Sequence, residues 1–139
     1  MIKKVYDVHK NDFHMVKPKM VYISNPTELG TLYTKEELIN ISNYCKEVGM
    51  YLYIDGARMA SALASEKNDI ELTDYPKYCD VFYIGGTKCG LLFGEALVIT
   101  NKELAEGFFC STKQKGATLA KGRLLGIQFT ELFQGDRYY

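Results

Sequence analysis

The chain has 139 residues, 47% hydrophobic and 24% charged, an ordinary globular composition that can bury roughly two-thirds of its unfolded surface. Its 17 Lys and Arg balance its 17 Asp and Glu, which excludes the basic footprint of a nucleic-acid or anionic-membrane binder. No apolar run approaches the roughly 18 residues that would span a bilayer, no apolar leader opens the sequence, and a soluble, cytoplasmic protein is expected.

In chain order, Lys3, Lys4, Lys10, Lys17 and Lys19 come first and read as a solvated face. His9 and His14 fall off any common helical face and read as surface residues. Residues 20–24, Met-Val-Tyr-Ile-Ser, form a β-prone run that stops at Asn25-Pro26. Thr34 with Glu37 three residues later makes a capping box. Leu38, Ile41, Cys45 and Val48 then recur at helical spacing, and Gly49 supplies a left-handed stop.

A second strand, 51–54, ends at Asp55-Gly56, and a helix is expected from Ala57 to Ala64. A polar stretch with Pro76 leads to a third strand at 81–84, which ends in Gly85-Gly86. A fourth run at 96–99 precedes Asn101, a candidate cap. The last helix is expected over about 118–133, with Leu125, Phe129, Leu132 and Phe133 on one face.

This order predicts an α/β unit whose first three strands are parallel and joined by right-handed helical crossovers. Their near-continuous apolar character predicts helices on both faces. The short, glycine-containing connection between the third and fourth strands is too small for a parallel crossover, so the fourth is expected to run antiparallel. No repeat or linker divides the chain, and residues 1–139 read as one domain. Cys45, Cys79, Cys89 and Cys110 show no paired or metal-like spacing and are expected as free thiols in a reducing compartment.

Ligands of open parallel sheets bind beyond the carboxyl ends of the strands. Here those ends carry Asn25-Pro26-Thr27-Glu28, Asp55-Gly56-Ala57-Arg58 and Gly85-Gly86-Thr87-Lys88. A carboxylate, an arginine and a lysine would thus meet at one crevice. Singly, each has a plainer reading: Lys88 as a surface lysine after a turn, and Asp55 as the cap of the following helix. Gly-Gly-Thr-Lys is not a P-loop, whose order is Gly-Lys-Ser/Thr after a longer loop. Cys89 has no His or Asn partner and reads as a small packing residue. Glu95 reads as a structural hydrogen-bonding group, and periodicity alone does not choose which of the 11 tyrosines line the crevice.

The runs Ser-Asn-Pro-Thr-Glu-Leu-Gly-Thr-Leu-Tyr-Thr, Tyr-Ile-Asp-Gly-Ala-Arg, Tyr-Ile-Gly-Gly-Thr-Lys and Gly-Glu-Ala-Leu-Val-Ile, with the later Lys-Gln-Lys-Gly-Ala-Thr-Leu-Ala-Lys-Gly-Arg, together carry a family resemblance. In order and spacing, from about Pro18 to Phe133, they resemble the threonine aldolase and β-eliminating lyase family, which are type I pyridoxal-phosphate enzymes. The resemblance implies pyridoxal 5'-phosphate as cofactor and a small amino acid as substrate. The expected reaction is cleavage of a β-hydroxy-α-amino acid to glycine and an aldehyde, or a β-elimination, within a homo-oligomer.

It implies that Lys88 takes the cofactor's aldehyde and moves protons, and that Asp55 pairs with the pyridine nitrogen. Arg58 would meet the substrate carboxylate or the cofactor's phenolic edge, Thr87 would lie near the phosphate, and Lys113 would reach a phosphate across a subunit boundary. An electron-sink ring must keep its nitrogen protonated. A carboxylate about 4 Å away is worth roughly 4 kcal/mol at an effective dielectric near 20, which favours the protonated ring about a thousandfold.

The matched region is the family's middle. The ring-stacking aromatic residue, the phosphate loop and a further substrate-binding arginine are expected outside these residues, and weak or absent turnover by this polypeptide alone is expected. Two alternatives stand beside this one: a catalytically silent module that folds or oligomerises, and an unrelated α/β ligand-binding domain.

Overall fold

A computed structural model describes residues 1–139. Its elements are α1 (Ile2–His9), β1 (Met20–Ser24), α2 (Lys35–Val48), β2 (Tyr51–Asp55), α3 (Met59–Leu63), α4 (Tyr75–Tyr78), β3 (Val81–Gly85), β4 (Glu95–Ile99), α5 (Lys102–Ala105), α6 (Phe108–Gln114) and α7 (Arg123–Phe133). The strands form one sheet in the order β1-β2-β3-β4. The first two pairings are parallel and the last is antiparallel, as the connection lengths predict.

The expected helix signals act as predicted. The Thr34 hydroxyl accepts from the Glu37 amide at 3.2 Å, the Glu37 carboxylate accepts from the Thr34 amide at 2.9 Å, and Gly49 ends α2 at φ 68°. Asn101 caps α5 by accepting from the Glu103 amide at 3.0 Å. Boundaries shift elsewhere. The helix expected over 57–64 is confined to Met59–Leu63 because Gly56 and Ala57 are committed to the turn beyond β2. The last helix begins at Arg123 rather than at 118.

Part of the lysine-rich start folds as α1, with Ile2 and Tyr6 packed against the core and the Tyr6 hydroxyl donating to the Val48 carbonyl at 3.4 Å. The core lies on one side of the sheet. Ile23, Leu52, Ile54 and Phe82 point into it and meet Leu38, Cys45, Met59, Ile70 and Tyr75. Buried Asp74, beside α4, accepts from Lys77 at 2.9 Å and pairs with Lys35 at 2.8 Å.

Within these residues the opposite face is not sealed, which corrects the expectation of helices on both sides. Alternation places Met20, Tyr22, Tyr51, Tyr53, Tyr83 and Leu97 there, and Met20, Tyr22, Tyr51 and Leu97 are exposed. Tyrosine counts as apolar in a sequence, yet its ring tolerates a half-wet surface. No helix is long and apolar enough to cross a membrane.

Candidate active site

Two strand ends meet here backbone to backbone. The Gly85 amide donates to the Gly56 carbonyl at 2.9 Å. An added Cβ on Gly56 would come within 2.1 Å of the Tyr83 carbonyl oxygen, and one on Gly85 within 2.4 Å of the Ala57 oxygen. Only glycine permits that approach. The Cys89 thiol reaches the Ala57 carbonyl at 3.6 Å, consistent with a packing role. Lys88, one residue earlier, is therefore carried beside the Asp55-Gly56-Ala57 turn.

On the other side of β2, the Asn25 amide donates to the Asp55 carbonyl at 2.9 Å. The buried Asn25 side chain is itself fixed, donating to Tyr75 at 3.0 Å and accepting from the Tyr33 amide at 3.2 Å. The strand end bearing Asp55 is thus held from both flanks.

The Asp55 side chain is engaged on both oxygens. Its Oδ1 accepts from the Ala57 amide at 2.9 Å and from the Tyr83 hydroxyl, while Oδ2 accepts from the Tyr22 hydroxyl. Burial works against its charge, but the two hydroxyls, the Ala57 amide and the Lys88 cation outweigh it and hold the carboxyl below its ordinary range. In turn, the hydrogen bond to Asp55 leads in pushing the Tyr22 hydroxyl up to about 12. Burial, and then Asp55, raise Tyr83. The carboxylate is ionised and the phenols are neutral donors at neutral pH.

Lys88 is exposed on the loop between β3 and β4. Glu95 closes the base of that loop, accepting from the Gly86 amide at 2.8 Å and the Thr87 amide at 3.4 Å, in line with its expected structural role. The Thr87 hydroxyl accepts from the Gly94 amide at 3.0 Å, so its oxygen serves the loop while its hydrogen remains available. Leu125, Phe129 and Leu132 of α7 lie over Gly94, Gly86 and Gly90, as the shared helical face predicts. Gln128 accepts from the Leu92 amide at 2.9 Å. Buried Tyr138 donates to the Gly85 carbonyl at 2.7 Å.

The remaining candidates are placed differently. Arg58 Nη1 faces Glu28 Oε1 at 3.9 Å, across a cleft of about 210 Å³ that also includes Thr27, Ser61 and Ser65. Lys113 lies on exposed α6 and makes no side-chain hydrogen bond or ion pair, so nothing ties it to the Asp55 group. A larger cavity, about 630 Å³, is an apolar groove between α1 and β1 that shares only Tyr22 with the Asp55 cluster. Its lining offers no acid–amine pair. Tyr22, Tyr83 and Tyr138 were not singled out by sequence reasoning. The available signal was the spacing of Tyr22, Tyr53 and Tyr83, each two residues before the last residue of its strand.

Residues 1–128 match the family model described as β-eliminating lyase. The low specificity L-threonine aldolase of Pseudomonas aeruginosa is 37% identical over 129 residues, covering 93% of this chain and 37% of that protein. Its counterpart from a Pseudomonas sp. is 40% identical over 126 residues, 90% of this chain and 36% of that one. The solved structure of Leishmania major threonine aldolase superposes with TM-score 0.94 at 52% identity, covering 99% of this chain and 40% of its own. The chain thus spans a little over a third of the length of these curated relatives. With the family's pattern matched over residues 1–128, the chain belongs to the β-eliminating lyase family.

Proposed function

We propose that Asp55 and Lys88 hold pyridoxal 5'-phosphate, and that these residues form part of the cofactor-binding domain of a threonine-aldolase-type lyase. The substrate class is a β-hydroxy-α-amino acid, cleaved to glycine and an aldehyde. The observation that carries the reading is the stapling of the Asp55 turn to the Lys88 loop, through the Gly85–Gly56 hydrogen bond and the Cys89–Ala57 contact. The donor set suits a pyridine aldehyde: an ionised carboxylate for a protonated ring nitrogen, an amine for the aldehyde, and glycines that let the backbone approach closely.

When bound, the cofactor supplies the sink for the electron pair released at the substrate's Cα. Asp55, as a carboxylate, favours the protonated ring nitrogen electrostatically. Lys88 would hold the cofactor through its aldehyde, and as the free amine its Nζ could take up and return a proton. Thr87 retains a hydroxyl hydrogen for a phosphate oxygen. Arg58 offers a planar fork to a carboxylate, for which it must turn from Glu28. Lys113 supplies a cation for a phosphate in a neighbouring copy of a cytoplasmic homo-oligomer. The related proteins and the related structure named threonine aldolase support cleavage rather than elimination.

Titrating the purified chain with pyridoxal phosphate and recording absorbance tests the assignment. A new band should form in the wild type and be absent from Lys88→Ala. A band of equal strength in Lys88→Ala, or none in the wild type, would defeat it. Threonine cleavage by these residues alone should be weak, because the rest of the family's length contributes nothing to the assay.

A further inference from the structure

We infer that Tyr22 and Tyr83 are positioning residues, which clamp the Asp55 carboxylate with one hydroxyl per oxygen and leave Oδ2 to accept the hydrogen of a ring nitrogen. The inference rests on the cofactor reading above for its ligand, but the clamp itself rests on the hydrogen bonds.

An ionised carboxylate has about four acceptor positions, two on each oxygen. Oδ1 is filled by the Ala57 amide and the Tyr83 hydroxyl. Oδ2 receives the Tyr22 hydroxyl alone, so the vacant position belongs to Oδ2. The two hydroxyls come from strands on either side of β2, and the carboxylate cannot rotate without breaking both. Tyr22 is fixed in turn by stacking on Tyr53, with ring centroids 5.2 Å apart and planes at 21°. Tyr53 makes edge contact with Tyr83 at 6.3 Å. Asp55 is thus gripped by an aromatic row across β1, β2 and β3, not by the turn alone.

The groups that bear on its titration are Tyr22 from β1, Tyr83 from β3 and Lys88 from the following loop, while Tyr53 of β2 faces it without a hydrogen bond to it. Glu95 of β4 acts on Tyr83. The donors favour the ionised acid, so removing one must raise the proton affinity of Asp55. A hydrogen bond to a charged group corresponds to about tenfold or more in such an equilibrium.

The test follows the Asp55 carboxyl carbon by NMR through an acid titration of the chain without cofactor. Tyr22→Phe and Tyr83→Phe should each raise its proton affinity about tenfold, and the double variant more. Tyr53→Phe, which keeps both hydroxyl donors, should leave it near wild type. With pyridoxal phosphate added, the acid limb of binding should move to higher pH in the two single variants and vanish in Asp55→Asn. An Asp55 titration unchanged in both Tyr22→Phe and Tyr83→Phe overturns the clamp. Shifted titrations with an acid limb that stays in place overturn the assignment of Oδ2 to the ring nitrogen. Absence of any Lys88-dependent band in the wild type defeats the cofactor reading, while the carboxyl titration still decides the clamp. Should Tyr83→Phe not fold, Tyr22→Phe decides it, since it deletes only a hydroxyl from an exposed side chain.

Discussion

Asp74 shows at the scale of one residue how a buried charge is made tolerable here. It is 2% exposed, and three donors converge on it: Lys35 from α2, Lys77 from α4 and the Glu71 amide. The hydrogen bonds from the lysines lead in holding its carboxyl far below the ordinary carboxylate range. The sign of the linkage follows. A depressed acid contributes stability that is fully present above the unfolded value of about 4 and is lost as pH falls toward the folded value. Asp74→Asn should therefore cost about 1–3 kcal/mol at neutral pH, and the gap to wild type should narrow on acidification below pH ~4. Denaturant midpoints measured across pH check this, and a constant gap would contradict the linkage. Neither Asp74's role nor the tyrosine clamp is legible in the sequence, because both depend on which side chains other segments bring alongside. The placement of Asp55 and Lys88 just beyond neighbouring strand ends is legible, because Asp-Gly and Gly-Gly mark where β2 and β3 stop. The pairing of Arg58 with Glu28 joins two strand ends, but which partner the guanidinium takes is not legible.

Among the elements, local signals were the most readable. The box at Thr34 and Glu37 needs only four consecutive residues, and it is present with both hydrogen bonds. Thr34→Ala should lower stability by about 1 kcal/mol, seen as a shifted thermal transition. Helix α1 was hidden because its lysines dominate the pattern, and its apolar residues Ile2 and Tyr6 gain partners only from segments distant in the chain. The β3–β4 loop was read correctly as too short for a crossover, but its internal order comes from Glu95. That carboxylate holds the Gly86 and Thr87 amides next to Lys88. Glu95→Ala should accelerate hydrogen exchange at the Gly86 amide and much less at Thr87, whose amide also donates to the Gly94 carbonyl at 3.1 Å, while leaving exchange in α2 unchanged. Equal protection in the variant would mean that α7, packed over Gly86, Gly90 and Gly94, orders the loop unaided.

The whole molecule is an α/β sheet with one sealed face, and this asymmetry makes its own demand on mutational energetics. Parallel sheets are ordinarily covered on both sides, whereas here the Tyr22, Tyr51 and Leu97 face is exposed within the residues described. The strand order and the antiparallel fourth strand followed from connection lengths. The open face did not, since alternating tyrosine and aliphatic residues read as one continuous apolar run. Adjacent residues of β2 measure the difference. Leu52 is 1% exposed and Tyr51 is 37% exposed, and the strand pleat sends them to opposite faces. Leu52→Ala should cost about 2–5 kcal/mol, whereas Tyr51→Ala should cost much less, about 1 kcal/mol or below. Denaturant unfolding at low protein concentration gives both values. A Tyr51→Ala cost as large as that of Leu52→Ala would show that this face is packed in solution. The same pair measured at rising protein concentration would then separate the causes: packing by self-association makes the Tyr51→Ala cost grow with concentration, while packing inside one chain leaves it fixed.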